Sequence, residues 1–382
     1  MGLPLSYNWR NVWRRKSRTA FTVLGTSLAI FISLMMLALS NGIRGSIQNT
    51  AEPANVLVLV KGAETIEFSA IDRSVLEAVR FSDLVAEKDG QRLASPEAYF
   101  TTTVDVPGSA AAQGLIRGVL PVSLLVHRQV HVTEGRFPSN PGEIMVGPLA
   151  ATKLGIQPDA LQVGKEVRFE GQPWKIVGHF SAPGTALESE IWGPLDDIMV
   201  TARREEYSVI AVTAKSASAV PDMVFDFSTR RDILVDARSE TDYYRSYADS
   251  FRPVELMATL MTVMLIIGGI VTGMNTFLAT VLGRVREIGM LRTLGYTKRA
   301  VLVSFVFEAL LIALAGGIVG SLFALTLNGL PMRIPMGAFR FQVDVQLVAL
   351  GLGLAALIGL LGVAWPLFRA TRLTIVNAIR QL

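Results

Sequence analysis

His127 and His131, in the stretch HRQVH, stand four residues apart, a spacing at which two imidazoles on one helix face can share a metal ion. The surrounding LLVHRQVHV reads as strand or turn, and no carboxylate pair accompanies it closely, so no metal site is expected. His179 follows a strand pattern and is expected as a packed or surface histidine. Glu188 and Glu190 in GTALESEIW would share a face of a strand, where two carboxylates could divide acid and base roles. A solvated edge is the simpler expectation for them. Nucleophile elbows, HExxH and the phosphate-cradling GxxxxGK[ST] are absent from the sequence, and Lys165 follows Gly164 but precedes Glu166. With no cysteine, disulfides and thiolate metal sites are excluded. No catalytic residue, metal or cofactor is expected in these 382 residues, and the chain does not read as an enzyme.

The stretch that asks for a different chemistry is GRVREIGMLRTLGYTKRAV, residues 283–301. A short loop beside a membrane is ordinarily basic, which explains its arginines. It does not explain Glu287, or Gly289 and Gly295 bracketing MLRTL. Val285, Ile288, Leu291 and Leu294 spread over a broad arc, so apolar groups face most directions with charges among them. Such a segment suits the groove of a partner better than plain solvent. Gly295 is expected to end a short helix and Thr297 to cap the next one.

The elements that must position this loop are apolar. Mean hydropathy is +0.42, too high for a soluble chain of this length. Four runs reach the roughly 20 residues needed to cross a bilayer. They are Ala20–Ser40, Val254–Leu282 with only Glu255, Val301–Leu327 with only Glu308, and Gln346–Phe368. The net charge of +4 conceals an asymmetry. Residues 42–252 hold 21 Lys and Arg against 28 Asp and Glu, which leaves 15 basic and 4 acidic groups for the rest. The basic residues flank the apolar runs, a membrane signature that gives no reason to expect nucleic acid as a partner.

The positive-inside rule therefore puts both termini and the 284–297 loop in the cytoplasm and residues 42–252 outside. Residues 1–19 read as an amphipathic helix on the membrane surface. Trp9, Val12 and Trp13 share one face, Arg10, Arg14, Arg15 and Arg18 spread over the other, and Ser6 serves as N-cap. The first run is longer than a signal-peptide core, so an uncleaved anchor is expected. Gly25 and Ala29, Gly269 and Gly273, and Gly316 and Gly320 have small-xxx-small spacing, which permits close helix approach and suits a two-copy assembly. Glu308, about two turns into its helix, needs a polar contact with the N-terminal helix or the 284–297 loop, or with lipid headgroups.

The expected fold is thus a membrane protein with four transmembrane α-helices and a large α+β extracytoplasmic domain between helices 1 and 2. The segments are 1–19 surface helix, 20–41 first span, 42–252 external domain, 253–283 second span with a stalk, 284–297 loop helix, 298–327 third span, 328–345 short outer loop, 346–368 fourth span and 369–382 tail. Within the external domain, strands are expected at 55–60, 99–106, 143–147, 167–170, 174–180 and 207–213, with a hairpin closed at GQP. Helices are expected at 69–81, 147–156 and 220–231. PGSAAAQG, residues 107–114, reads as a boundary, allowing two subdomains with the second inserted near 107–205.

REIGMLRTLGYTKRAVLVSFVFEALLIALAGGIVG, residues 286–320, closely resembles the second-to-third-helix region of ABC-transporter permeases of the MacB-like superfamily, which includes lipoprotein-release permeases and the cell-division permease FtsX. The matched positions are Arg286, Glu287, Gly289, Arg292, Leu294, Gly295, Glu308, Gly316 and Gly317. WRNVWRRKSRTAFTVLGTSLAI resembles the family's start and WPLFRATRLTIVNAIRQL its end, while the external domain matches only in outline. The resemblance implies a permease of the bacterial inner membrane whose loop, from Arg286 through Ile288 and Leu291 to Gly295, is a coupling helix seated in a separate ABC ATPase. It implies two such ATPases, which bind ATP and Mg, a second permease copy (identical or paralogous), membrane lipids and a periplasmic adaptor as partners. The function it implies is mechanotransmission for export or extraction of an amphiphile, peptide, lipid or lipoprotein. The alternatives are an FtsX-like regulator of an external hydrolase that transports nothing, and a membrane sensor or scaffold without an ATPase.

Overall fold

The structure, a computed structural model, describes residues 16–334 and 337–371. It divides into two compact units. One is the membrane unit, Met1–Asn41, Pro253–Gly329 and Phe341–Leu382. The other is the inserted domain, Gly42–Arg252 with Leu330–Arg340.

The inserted domain is built on a ten-stranded sheet. Its strands are β1 (Asn55–Val60), β2 (Ala94–Asp105), β3 (Ala112–Val119), β4 (His131–Gly135), β5 (Glu143–Val146), β6 (Glu166–Phe169), β7 (Gln172–Ser181), β8 (Glu190–Pro194), β9 (Val209–Thr213) and β10 (Val235–Ser239). The order is β10-β1-β9-β2-β3-β8-β5-β7-β4, with β6 pairing β2 and β7. β1, NVLVLV, is an unbroken apolar run because it is buried on both faces between antiparallel β9 and β10. β6 and β7 form the hairpin expected at GQP. Its two turn residues, Glu170 and Gly171, have φ of 50° and 74°, as a mirror-image turn that matches strand twist requires. The segment 107–114 is not a domain boundary. It is the connection between β2 and β3 together with the start of β3, and those strands pair continuously from Ala98↔Gly118 to Val104↔Ala112. The insertion expected near 107–205 instead supplies β3 to β8, which extend the same sheet. Two apolar cores cover it, one including Val58, Ile116, Trp174 and Phe227, the other centred on Trp192 and Phe180.

The loop between the last two spans is not a plain connection. Pro331–Ile334 (β11) and Gly337–Arg340 (β12) pair as a hairpin that belongs to the inserted domain. The Phe339 ring lies 2.7 Å from where a Cβ on Gly42 would stand, and Arg333 Nη1 is equally close to such a position on Gly155.

The membrane unit holds α1 (Lys16–Gln48, of which residues beyond Asn41 belong to the inserted domain). The chain then returns through α2 (Glu240–Asp249), which is part of the inserted domain, into α3 (Arg252–Leu282), α4 (Val285–Thr293), α5 (Lys298–Thr326) and α6 (Val345–Thr371). At 33 and 31 residues, α1 and α3 are about 50 Å and 46 Å long, well beyond a hydrocarbon core of about 30 Å. The first helix therefore continues past residue 41, the expected end of the span. Glycines set the helix approaches: a Cβ on Gly320 would meet the Ser27 carbonyl at 2.5 Å, and one on Gly317 would meet Ala355 Cβ at 2.6 Å.

Candidate functional site

The loop between α3 and α5 begins with two residues, Gly283 and Arg284, and turns directly into α4. Gly295 stands just past its end with φ 92°, the left-handed conformation that a helix-ending glycine supplies. Thr297 then accepts a hydrogen bond from the Ala300 amide at 3.2 Å and caps α5. Both ends are set by the residue types that the sequence offers for it.

The root of the loop is an ion pair. Arg284 donates from Nη1 to Glu308 Oε2 at 2.9 Å, with the two side chains only 6% and 7% exposed. The guanidinium also lies 3.9 Å from Glu287 on α4 and 6.0 Å from the centroid of the Phe305 ring. A charge pair so far out of water holds firmly, because parting it would cost each buried charge a charge-assisted hydrogen bond. The residue that opens the loop helix is thereby tied to α5. Glu308 finds the polar contact its position demanded, and finds it in Arg284 at the start of the loop.

On α4, Gly289 is buried while Met290 and, just beyond the helix, Leu294 are 58% and 72% exposed. These two lie four residues apart, so they face the same way. Trp9, Trp13, Arg14 and Arg15 lie outside the described residues, as do the side chains of Arg18, Arg286, Ile288, Leu291 and Arg292.

The small residues proposed for a two-copy face are largely used inside one chain. Gly316 meets Thr26 and Val23, Gly320 meets Ser27 and Ile30, Gly269 meets Ile358, and Gly273 meets Gly362. Ala29 is buried, and Gly25 looks onto open space. These spacings serve helix packing within one chain, while Gly269 stays half-exposed and Gly25 looks onto open space.

The inserted domain holds a charged cluster that local sequence did not announce. Glu190 and Glu188, expected on a solvated edge, are both buried. Arg117 donates from Nε and Nη2 to the two oxygens of Glu190 at 2.7 Å each, and from Nη1 to Glu97 at 2.7 Å. His127 Nε2 lies 2.7 Å from the other Glu97 oxygen, and Trp192 Nε1 donates to Glu190. Burial alone would raise the Glu97 carboxyl, but His127 and Arg117 outweigh it and hold it near about 2. Burial likewise opposes charge on His127, and Glu97 reverses this and raises it. His131 is exposed on β4, and His179 bridges Glu134 and the Leu161 carbonyl. Among the described residues no group of three or more potential ligands could hold a metal ion.

Arg284 and Arg117 are the residues that sequence reasoning missed. For Arg284 a signal existed, since a carboxylate inside a span calls for a cation at the nearest helix end. For Arg117 none did, because its partners lie 20 and 73 residues away.

Comparison with known proteins agrees with this architecture. Residues 19–229 match the MacB-like periplasmic core domain, and residues 259–375 match the FtsX-like permease C-terminal domain. The macrolide export ATP-binding/permease protein MacB of Bartonella henselae is 25% identical over 394 residues, covering 96% of this chain and 57% of that protein. The chain thus spans little more than half the length of that relative. An uncharacterized ABC transporter permease of Mycobacterium bovis is 25% identical over 361 residues, covering 91% of this chain and 93% of that one. The solved periplasmic region of MacB from Actinobacillus actinomycetemcomitans gives a TM-score of 0.40 at 10% identity, over 54% of this chain and 97% of that one. With four apolar helices long enough to span a bilayer and an α+β domain inserted after the first, the chain belongs to the MacB-like, FtsX-like family of ABC transporter permeases.

Proposed function

We propose that α4 is the coupling helix on which an ABC ATPase sits, and that the chain converts ATP-driven movement of that helix into movement of its inserted domain. The observation that carries this reading is a short helix ended at Gly295, tied at its root by Arg284–Glu308, with Met290 and Leu294 turned outward. A loop with no partner has no use for two large exposed apolar groups on one face, whereas a groove in a second protein covers them. The basic flanks of the spans support a cytoplasmic position for this loop, where ATP is, and an external one for the acidic domain.

The ATP and Mg belong to the partner. Two permease chains and two ATPases form the working unit in this reading, with an amphiphile, peptide, lipid or lipoprotein as cargo. The test is purification of the tagged chain from its native membranes, with and without Met290→Glu and Leu294→Glu. Wild type should bring down an ATPase and its ATP turnover, and the double variant should lose both while remaining in the membrane. Equal recovery of ATPase by the variant would remove α4 as the docking site. ATP turnover that moves no solute into vesicles would favour the regulator of an external hydrolase.

A further inference from the structure

A cavity of about 60 Å³ opens beside the charged cluster of the inserted domain, between β2, β3, β8, the 3₁₀ turn Ile66–Phe68 and α2. Beside Ile66, Leu115 and Ala186, its rings and acids are Tyr99, Tyr243, Tyr244 and Tyr247, with Glu67 and Glu190. The Tyr243 and Tyr247 rings are parallel, one helical turn apart, with centroids separated by 6.3 Å, and Tyr244 meets Tyr243 edge-on at 5.2 Å. Burial pushes the pKa of all three phenols up, which keeps the rings neutral and their faces electron-rich.

Arg117 is the cation of the lining, and two carboxylates already saturate it while it lies 5.0 Å from the centre of the Tyr99 ring. Glu67, half-buried, has no such side-chain hydrogen-bond or ion-pair partner among the described residues. Lys153 acts on it electrostatically but does not line the cavity. Burial raises the Glu67 carboxyl, so an incoming positive charge would recover free energy there. Thr65 Oγ1, also at the lining, is buried with no hydrogen-bond partner among the described residues.

From this lining we infer that the cavity is a binding site for an alkylammonium group carrying at least one N–H. The positive head would stand against the tyrosine faces and donate to Glu67 and Thr65. An anion would meet two carboxylates and the negative faces of the rings. A neutral apolar group would leave Glu67 and the Thr65 oxygen uncompensated. The volume admits about four to six heavy atoms, at roughly 10–15 Å³ for each water-sized group, which is the size of an amine headgroup and not of a whole drug-like molecule. The site lies in the inserted domain and does not depend on α4 serving an ATPase.

The test is calorimetric titration of ethylammonium chloride into the full chain in phosphatidylglycerol nanodiscs, against sodium chloride at equal ionic strength. Saturable binding is expected for ethylammonium, and tetramethylammonium, which has no N–H, should bind more weakly. Glu67→Gln should weaken ethylammonium about tenfold, by loss of a charge-assisted hydrogen bond. Tyr247→Leu should weaken it about threefold or more, by loss of a ring face. Thermal melts of both variants confirm that the fold is intact. Repeating the titration in discs containing phosphatidylethanolamine separates the sources. A lowered apparent affinity identifies a lipid amine as the competitor, and an unchanged one identifies a soluble amine. No saturable binding, or binding that Glu67→Gln leaves unchanged in a folded protein, overturns the inference.

Discussion

Two buried arginines organise this chain, and they are held in different ways. Arg117 lies on β3, with Glu97 on the neighbouring strand β2 and Glu190 on the other neighbour, β8. Its guanidinium therefore cross-links three adjacent strands, and His127 and Ser95 secure Glu97 from further sides. Arg284 ties the root of one loop to one helix, with a glycine before it and the exposed end of α4 beyond. Burial is the same in both, only a few per cent exposure for each charged group. What differs is how many separate elements must move together for the contact to break. The first arrangement suits a locked sheet, and the second suits a joint that transmits a push without coming apart.

The largest effect is expected at the lock. Arg117→Met leaves Glu97 and Glu190 buried without their shared cation, and removing one partner of a buried charge network costs about 3–5 kcal/mol. Thermal unfolding followed by near-ultraviolet circular dichroism should show the inserted domain melting many degrees lower, with the membrane helices retained. A loss below about 1 kcal/mol would mean that the cluster is not a keystone.

The joint should respond more in coupling than in stability. Arg284→Met takes from Glu308 the guanidinium 2.9 Å away, and Glu308→Gln should offset part of the lost stability by removing the charge that guanidinium balanced. In the reading proposed here neither variant should restore full ATP turnover by the co-purified ATPase, since the tie itself is gone. The double-mutant cycle in melting temperature and in ATP turnover checks this. If the single and double variants all turn over ATP like wild type, the pair is structural alone and the contrast with Arg117 disappears.

The contrast also marks where local pattern stops being informative. The four spans, the insertion from 42 to 252, β1 and the GQP hairpin were legible because apolar period and turn chemistry are local. The ends of α4 and α5 were legible for the same reason, from Gly295 and Thr297. PGSAAAQG looked like a boundary because proline and glycine punctuate any tight connection, including one between two long paired strands. Glu188 and Glu190 looked solvated because ESE carries no sign of an arginine 73 residues earlier. The β11–β12 hairpin looks like a short loop in the sequence because too few residues separate the spans to show an alternating pattern. Arg284 was lost among loop arginines that the membrane alone would explain.

The smallest effect concerns a third buried charge, at the edge of the lock. Glu240 opens α2 and accepts a hydrogen bond from the Glu52 amide at 3.0 Å, with His127, Glu97 and Tyr244 among the ionisable groups facing it. Burial pushes its carboxyl up to about 7 against an ordinary 4.5, and His127 only partly offsets this. The folded domain therefore prefers the neutral acid. Below pH 4.5 both folded and unfolded chains hold the proton, and Glu240 costs nothing. Between about 4.5 and 7 the unfolded chain releases it first, so stability falls with rising pH, by about 3 kcal/mol at most once both have ionised. Glu240→Gln keeps a neutral group that can still accept from Glu52 and should escape this loss. His127 works in the same pH direction, because its raised ionisation favours the fold below 6.5 and loses that contribution as pH rises. It is present in both proteins, and Glu240 is only a lesser cause of its shift after Glu97, so the difference between them is dominated by Glu240. Melting temperatures of wild type and variant should coincide near pH 4 and diverge up to pH 8, with the variant higher. A constant offset across that range would mean that Glu240 is ionised in the fold throughout, and that the domain carries its charge as it carries that of Glu97.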